Sequence, residues 1–314
     1  MGSSPVIQIL MSVLNGERYL DSALESVRSQ DYSAWQILVR DDGSTDRTGE
    51  ILADWRSRLG ERLHIVPNEG NKNLGMNVSY SSLLQASSAP YITLLSHDDR
   101  YHPNKLSLTL DAMRHHEAKV GASRPILVYT DLAVIDERSE TVARSHWKHV
   151  GWRPPRARPL GQLLVHSAVC GGACLINRPL IALLGDPPLC EDVWFALVAA
   201  VLGDLVLINQ PTVDFRWHTA NESKQVAIGS LLRRVATNPL LASPILHSQL
   251  ASLRPRAGRL LNQLQGRLAP DDAATLQAFL DLPNMGPLAR RRAILRHGLL
   301  YPSWPRTLGL LLLV

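Results

Sequence analysis

The stretch "QILVRDDGSTDRTGEIL", residues 36–52, runs an apolar strand into two adjacent carboxylates, Asp41 and Asp42, and then turns. Asp-Gly is a strong turn dipeptide, and Ser44, Thr45 and Asp46 are placed to cap a following helix. A capped turn needs one aspartate, so the second asks for another explanation. From Thr48 the positions Ile51, Leu52, Trp55 and Leu59 recur at helical spacing. The stretch therefore reads as strand, turn, helix.

The same alternation extends in both directions. Residues 6–14 form an apolar run, and after Asn15-Gly16 the positions Leu20, Leu24 and Val27 mark a helix. Downstream, "LHIV" at 63–66 gives a strand, residues 75–87 a helix, and "YITLL" at 91–95 a strand. A helix opening at Pro103 and a strand "ILVYT" at 126–130 follow, then a basic stretch over 144–159. The pattern resumes with "VCGGACLI", an apolar helix in "EDVWFALVAAVLG", and two strands at "DLVLI" and "PTVDFRW". Alternating strands and helices predict a mainly parallel α/β sheet with helices on both faces. After about residue 222 strand signals stop and Leu/Arg/Ala-rich helical segments take over, which predicts a catalytic domain over 1–222 and a helical region over 223–314.

Composition narrows the function classes. With 314 residues, 45% of them hydrophobic, the chain can bury a large core. Three cysteines, Cys170, Cys174 and Cys190, complete no four-ligand metal set and read as reduced thiols of a cytoplasmic protein. The N-terminus lacks a basic region ahead of an apolar run, and no window reaches about 18 uninterrupted apolar residues, so no leader or spanning helix is expected. The net charge is +5, with Arg290, Arg291, Arg292, Arg296 and Arg306 near Trp304 and a leucine-rich end. That combination suits an anionic membrane surface or a solvated helix face packed on the body. No nucleic-acid-binding motif accompanies the charge.

In an open parallel sheet, ligands bind beyond the carboxyl ends of the strands. Asp41-Asp42 follows one strand and Asp98-Asp99 follows "YITLLSH", so both acidic pairs are expected on the same rim, where a hard divalent cation and phosphate oxygens would offset their repulsion. The chain has neither G-x-G-x-x-G after its first strand nor G-x-x-x-x-G-K-[ST]. Metal and side chains must then hold the phosphates, which points to a sugar nucleotide more than to NAD or ATP.

These residues resemble the family-two glycosyltransferases, with their glycosyltransferase A fold. "VLNGERYLDSALESVRSQDY" and the quoted stretch look like the family's N-terminal signature, and "NKNLGMNVSYSSLLQASSAPYITLLSHDD" like its second block. "VCGGACLINRPL" and "EDVWFALVAAVLGDLVLINQPTVDFRWHTANE" look most like the rhamnosyltransferase-like branch. The resemblance implies a nucleotide site at Val13, Asn15, Asp41, Asp42, Lys72 and Asn73. It implies Asp98 as ligand of Mn²⁺ or Mg²⁺, Asp99 shaping the donor site, and Asp192 as general base with Glu191 its nearest competitor. In two places the chain departs from the pattern: Ser96-His97-Asp98-Asp99 begins with serine where many relatives have aspartate, and Val13-Leu14-Asn15 lacks an aromatic that would stack on the base.

Other residues keep two readings. Arg216 suits a diphosphate, and His218 a metal or phosphate, although a single histidine is more often structural. Gly171 and Gly172 let backbone approach a sugar or simply pack. Trp147, Trp152 and Trp194 stack on sugar faces or sit buried. Asp192 can serve as base, N-cap or both. The expectation is an inverting, metal-dependent transferase that moves a sugar from a dTDP-, UDP- or GDP-linked donor, dTDP-rhamnose being favoured, to a glycan or lipid-linked acceptor in surface-polysaccharide synthesis, in the cytoplasm and resting on the inner membrane face. A silent glycan-binding scaffold and a sugar nucleotidyltransferase are the alternatives. The latter would need a Gly-rich phosphate loop that "LMSVLNGERYL" does not supply.

Overall fold

The computed structural model describes residues 5–70, 72–152, 159–185, 190–218, 251, 253–264, 266–301, 307–308 and 310–311. The elements run β1 (Ile7–Val13), α1 (Leu20–Arg28), β2 (Trp35–Asp41), α2 (Thr48–Leu59), β3 (Leu63–Ile65), α3 (Met76–Ala86), β4 (Tyr91–Leu94), β5 (Arg100–Tyr101) and α4 (Lys105–Val120). They continue with β6 (Ile126–Ile135), β7 (Thr141–Ala143), α5 (His146–His149), α6 (Pro159–Leu163), β8 (Cys174–Asn177), α7 (Arg178–Ile181), α8 (Asp192–Leu202), β9 (Asp204–Arg216), α9 (Pro270–Asp281) and α10 (Pro287–Arg296).

Two compact units emerge. One holds Met1–His146, Val169–Phe195 and Gly203–His218; the other holds Trp147–Ala168, Ala196–Leu202 and Thr219–Val314. The first contains the sheet, ordered β3-β2-β1-β4-β8-β6-β9-β5, with β7 on β6. Strands β1, β2, β3 and β4 pair in parallel, as do β6 and β9. The mainly parallel reading holds, with one correction: "VCGGACLI" enters the sheet as β8, antiparallel to both β4 and β6. A second correction concerns "DLVLI" and "PTVDFRW", which form one strand, β9. Its register against β6 shifts around Pro211, where a residue without an N–H is accommodated by an irregular ladder.

Strand alternation explains which helix lies on which face. Ile7, Ile9, Met11 and Val13 of β1 join the core with Leu20 and Leu24 of α1, Leu52 and Trp55 of α2, and Leu106, Leu110 and Met113 of α4. The opposite side of β1 meets α3: Ser12 Oγ bonds Ser79 Oγ at 2.8 Å, and Gln8 Oε1 accepts from Ser87 Oγ at 2.6 Å. Period-two geometry thus puts α3 across the sheet from α1, α2 and α4. Because β1, β2 and β4 are parallel, the loops after Val13, Asp41 and Leu94 open on one rim, with Val13 beside Asp41 in register.

Beneath that rim lies a fully buried cation. Lys105 Nζ donates to Thr93 Oγ1 at 2.6 Å and stands 4.2 Å from the centre of the Tyr101 ring. Burial lowers its pKa from 10.5 to about 7 against a smaller opposing pull from Cys174 and Cys170. Between those values the unfolded chain binds more protons than the folded one, so this group makes stability rise with pH by at most about 1.4 kcal/mol per pH unit. Lys105→Met is expected to raise stability near neutrality and to abolish that share of the rise, as read from urea unfolding of both proteins across the window. A parallel pH dependence in the variant would place the rise elsewhere.

In the second unit, α6 runs against the end of α10 so closely that a Cβ at Gly161 would fall 2.2 Å from the His297 carbonyl oxygen. Only glycine fits there. Leu276 and Phe279 of α9 and Ile294 of α10 are buried. Among the described residues, no helix is long and apolar enough to cross a membrane. Trp304 and Arg306 lie outside the described residues, as does most of the stretch joining the predicted domains.

Candidate active site

The two carboxylates of the opening stretch separate into different environments. Asp42 is buried; it accepts from the Gly75 N–H at 2.9 Å and from the Leu74 N–H at 3.1 Å, with Arg40 Nε 3.7 Å away. These N–H groups lie at the entry to α3, where backbone donors and the helix dipole favour an anion. Asp42 is therefore the brace of the 72–75 loop. Asp41 is half-exposed on the rim; one oxygen accepts from Ser44 N–H at 2.9 Å to close the Asp-Gly turn. Its other oxygen has no hydrogen bond among the described residues, which leaves an acceptor facing the rim.

The loops after β1 and β2 are joined by side chains. Asn15, at φ 49°, accepts from Thr45 N–H through Oδ1 at 2.9 Å and donates its own N–H to Ser44 Oγ at 2.9 Å. Asp46 opens α2 by accepting from Thr48 N–H at 3.0 Å, the capping role for which Ser44 and Thr45 also had the right chemistry. Val13 is buried, and its carbonyl accepts from Asp42 N–H at 2.8 Å. Asn15 and Val13 thus frame the rim, while Lys72 and Asn73 are exposed along it. Asn73 Oδ1 also takes the Gly75 N–H at 2.9 Å. Asn68, which the sequence did not single out, ties this edge together by donating to the carbonyls of Asp41 and Lys72 at 2.8 and 3.1 Å.

The second acidic pair also divides. Asp98 bonds Ser96 through one oxygen and His218 Nε2 through the other, the latter at 3.0 Å. Burial pushes the Asp98 pKa up, but the adjacent His97 charge and the bonds from Ser96 and His218 hold it below the usual carboxylate value. Asp99 is pushed well above that value, first by burial and then by the charge of Asp98. Asp98 therefore carries the charge of the pair, and Ser96 supplies a hydrogen bond to it.

Arg216 does not face the rim as its sequence reading suggested. It is buried, its backbone N–H donates to Asp99 Oδ1 at 2.9 Å, and its guanidinium donates to the carbonyls of Asp98 and Asp136 at 2.9 Å each. The reason is topological: the end of β9 lies directly behind the 95–99 loop, so this cation clamps the acidic loop from within. Its guanidinium also lies 4.4 Å from the Tyr19 ring centre, and Tyr19 stacks on His218 at 5.8 Å with 25° between planes. Tyr19, absent from the sequence reading, thus orders both the cation and the histidine behind Asp98.

Gly171 and Gly172 close the floor between the carboxylates. A Cβ at Gly172 would lie 4.0 Å from Asp99 Oδ2 and 3.7 Å from the Leu94 carbonyl; one at Gly171 would lie 2.9 Å from Leu94 Cδ1 and 3.8 Å from Asp192 Cβ. Asp192 starts α8 half-exposed, with Oδ1 accepting its neighbour's N–H, Val193, at 2.7 Å. Glu191 is bonded to Asn77 Nδ2 at 3.2 Å, which fixes it to the start of α3. The Cys170 thiol registers the convergence: burial pushes its pKa up, followed by the charge of Asp192.

The three candidate tryptophans, Trp147, Trp152 and Trp194, are core residues. Trp194 is fully buried and donates Nε1–H to the Leu184 carbonyl at 3.1 Å; Trp147 is buried in the second unit, its ring 5.1 Å from that of Trp152. Trp147, Trp152 and Trp194 leave no indole face for a sugar.

For a divalent cation, Asp98 Oδ2 and His218 Nε2 form the fitting donor pair. They are a charged oxygen and an imidazole nitrogen 3.0 Å apart, joined by a hydrogen bond that a cation can replace. Among the described residues no group of three or more His, Cys, Asp or Glu side chains forms a metal cage, so a cation here would need ligand oxygens to complete its sphere.

The sequence model of glycosyl transferase family 2 matches residues 8–182, more than half of the chain. The chain belongs to that family. This family 2 chain is 28% identical over 134 residues to EpsE of Bacillus subtilis, provisionally assigned as a glycosyltransferase, with 43% of the chain and 48% of EpsE covered. It is 25% identical over 244 residues to an uncharacterized glycosyltransferase of Haemophilus influenzae, covering 72% of the chain and 69% of that protein. The chain spans about half the length, or less, of the first curated relatives it matches. The structure of S. aureus TarS 1–349 in complex with UDP-GlcNAc superposes with a TM-score of 0.58 at 14% identity, covering 93% of this chain and 80% of that one. This likeness gives the fold, the glycosyltransferase A arrangement with a helical C-terminal region.

Proposed function

We propose that this family 2 chain transfers a sugar from a nucleoside-diphosphate donor to a glycan or lipid-linked acceptor in cell-surface polysaccharide synthesis, with inversion at the anomeric carbon. One observation carries the reading: the charged Asp98, the floor at Gly171–Gly172 and the half-exposed Asp192 converge on the rim where the parallel strands end. TuaG of Bacillus subtilis, a relative 29% identical over 109 residues, is provisionally assigned to teichuronic acid biosynthesis, and TarS was crystallised with UDP-GlcNAc. The first favours a surface polymer and the second a nucleotide sugar. A dTDP-linked deoxysugar such as rhamnose rests on the motif resemblance alone.

Each residue then has a task. Asp41 accepts hydrogen bonds from base or ribose through its rim-facing oxygen, with Lys72 and Asn73 on the same edge. Asp98 and His218 would hold Mn²⁺ or Mg²⁺, which when bound offsets charge on the departing diphosphate as a Lewis acid. Arg216 and Tyr19 keep Asp98 and His218 oriented without touching ligand. Glycine at 172 leaves space above Asp99 for a sugar. Asp192 takes the proton of the acceptor hydroxyl; a carboxylate is a weak base toward an alcohol, so proton transfer accompanies bond formation. A single base opposite the leaving group implies in-line displacement.

Thermal-shift binding of UDP, dTDP, GDP and their sugar conjugates, with and without Mn²⁺, tests this. A ligand at a hundred times its Kd stabilises the folded state by about 2.7 kcal/mol. One nucleotide series should raise the Tm of the wild type in the presence of metal and fail to do so for Asp98→Ala. If no nucleotide raises the wild-type Tm under any metal condition, the donor site is wrong and a glycan-binding scaffold becomes the better reading.

A further inference from the structure

We infer that the outer face of α10 is a docking surface for anionic lipid headgroups. The inference is independent of the transfer reaction and rests on residues of the second unit alone. Leu288, Arg291, Arg292 and Leu295 are spaced i, i+3, i+4 and i+7, so they form one stripe of the helix, and Arg296 borders it. All five are exposed, Leu288 at 79% and Leu295 at 56%, while Ala293 and Ile294 on the opposite side are buried. Two bare leucines on a ten-residue helix are not needed to hold the unit together.

Charge identifies the occupant. From residue 282 to 314 the chain has no Asp or Glu, and its arginines are Arg290, Arg291, Arg292, Arg296 and Arg306. Arg290 is occupied inside the unit, donating to the carbonyls of Leu282 and Met285 at 2.8 Å each. Arg291, Arg292 and Arg296 are exposed, with no carboxylate on their own helix, and of these Arg291 also donates its Nε–H to the Leu311 carbonyl at 2.9 Å. Leucines at both ends of the stripe and guanidinium groups between them match a surface in which phosphates and acyl chains lie at successive depths. There the arginine stems lie along the apolar layer and their heads reach the phosphates.

The test is flotation of the full chain with vesicles of phosphatidylcholine alone, or with about a third phosphatidylglycerol, in low and high salt. The protein should float only with the anionic vesicles and be released by salt. Arg292→Gln/Arg296→Gln should lower the partition coefficient by roughly 25-fold, about fivefold for each arginine removed from the surface. Leu288→Ser/Leu295→Ser should release the protein at low salt as well, because charge without apolar insertion leaves only the screened attraction. All four positions are exposed, and an unchanged Tm checks that the variants fold. Equal flotation with neutral vesicles, no flotation at all, or flotation indifferent to both double variants overturns the proposal. So does a wild-type dimer that Leu288→Ser/Leu295→Ser converts to monomer without any vesicle binding, since the face would then join two copies of the chain.

Discussion

Replacing Asp192 by asparagine is expected to lower kcat by about 10²–10⁴-fold, the range that general base catalysis typically supplies, while leaving nucleotide binding and folding close to wild type. The choice of asparagine separates two roles that coincide at this position. Asp192 opens α8 and its Oδ1 accepts from Val193 N–H at 2.7 Å, a bond an amide oxygen makes equally well, since Asn and Asp are comparable at helix starts. What asparagine cannot do is take a proton from an alcohol. Asp192→Ala loses both functions and should add about 1 kcal/mol of destabilisation to the same kinetic loss. Glu191→Gln keeps the bond to Asn77 and should change kcat by no more than a few-fold. Release of nucleoside diphosphate in the presence of acceptor gives the rates, and thermal melting gives the stabilities. Wild-type kcat in Asp192→Asn would move the base elsewhere, with Glu191 the first residue to test.

Much of the fold could be read from the order of elements because each strand and helix from β1 to β4 carries its own periodicity. Ile51, Leu52, Trp55 and Leu59 announce α2 without reference to anything outside it. Orientation within the sheet has no such local sign. "VCGGACLI" has the same apolar run whether it enters parallel or antiparallel, and only its neighbours β4 and β6 decide. "DLVLI" and "PTVDFRW" read as two strands because Asn-Gln-Pro at 209–211 has turn composition; the sheet instead absorbs Pro211 in a shifted register. The candidate site divides along the same line. Asp98 and Asp99 stand out by their position after a strand, whereas Asp192 is singled out as a base by the family resemblance, its position before a helix suggesting only a cap. The role of Arg216 depended on Asp136 and Ser139, some 80 residues earlier, which receive its guanidinium at 2.9 and 3.0 Å. Trp147 and Trp194 could be told from sugar-stacking residues only by burial, which is a property of the packed chain.

Asp41 and Asp42 make the sharpest separation of brace from ligand contact, and Asp42→Ala is expected to cost about 3–5 kcal/mol, the range for breaking a buried ion pair by removing one partner. Arg40 is 5% exposed and its Nε has no hydrogen-bond partner, so Asp42, 3.7 Å away, is the counter-charge that makes its burial tolerable. The remaining guanidinium contacts, to Pro67 O at 3.1 Å and Asn68 Oδ1 at 2.8 Å, are neutral acceptors and do not replace it. Truncation also strands the Leu74 N–H at the start of α3 and leaves the Gly75 N–H only its bond to Asn73 Oδ1. Asp41→Ala, by contrast, removes a half-exposed side chain and one turn hydrogen bond, so its cost should stay near 1 kcal/mol, while its loss of nucleotide affinity is the larger effect. Urea unfolding of the two variants, paired with nucleotide titration, reads both quantities. Arg40→Met combined with Asp42→Leu should recover much of the stability lost in Asp42→Ala, because a buried pair replaced whole by apolar groups leaves no charge behind. Equal destabilisation by Asp41→Ala and Asp42→Ala would show that the turn itself, and not the Arg40–Asp42 brace beneath it, holds the rim in shape.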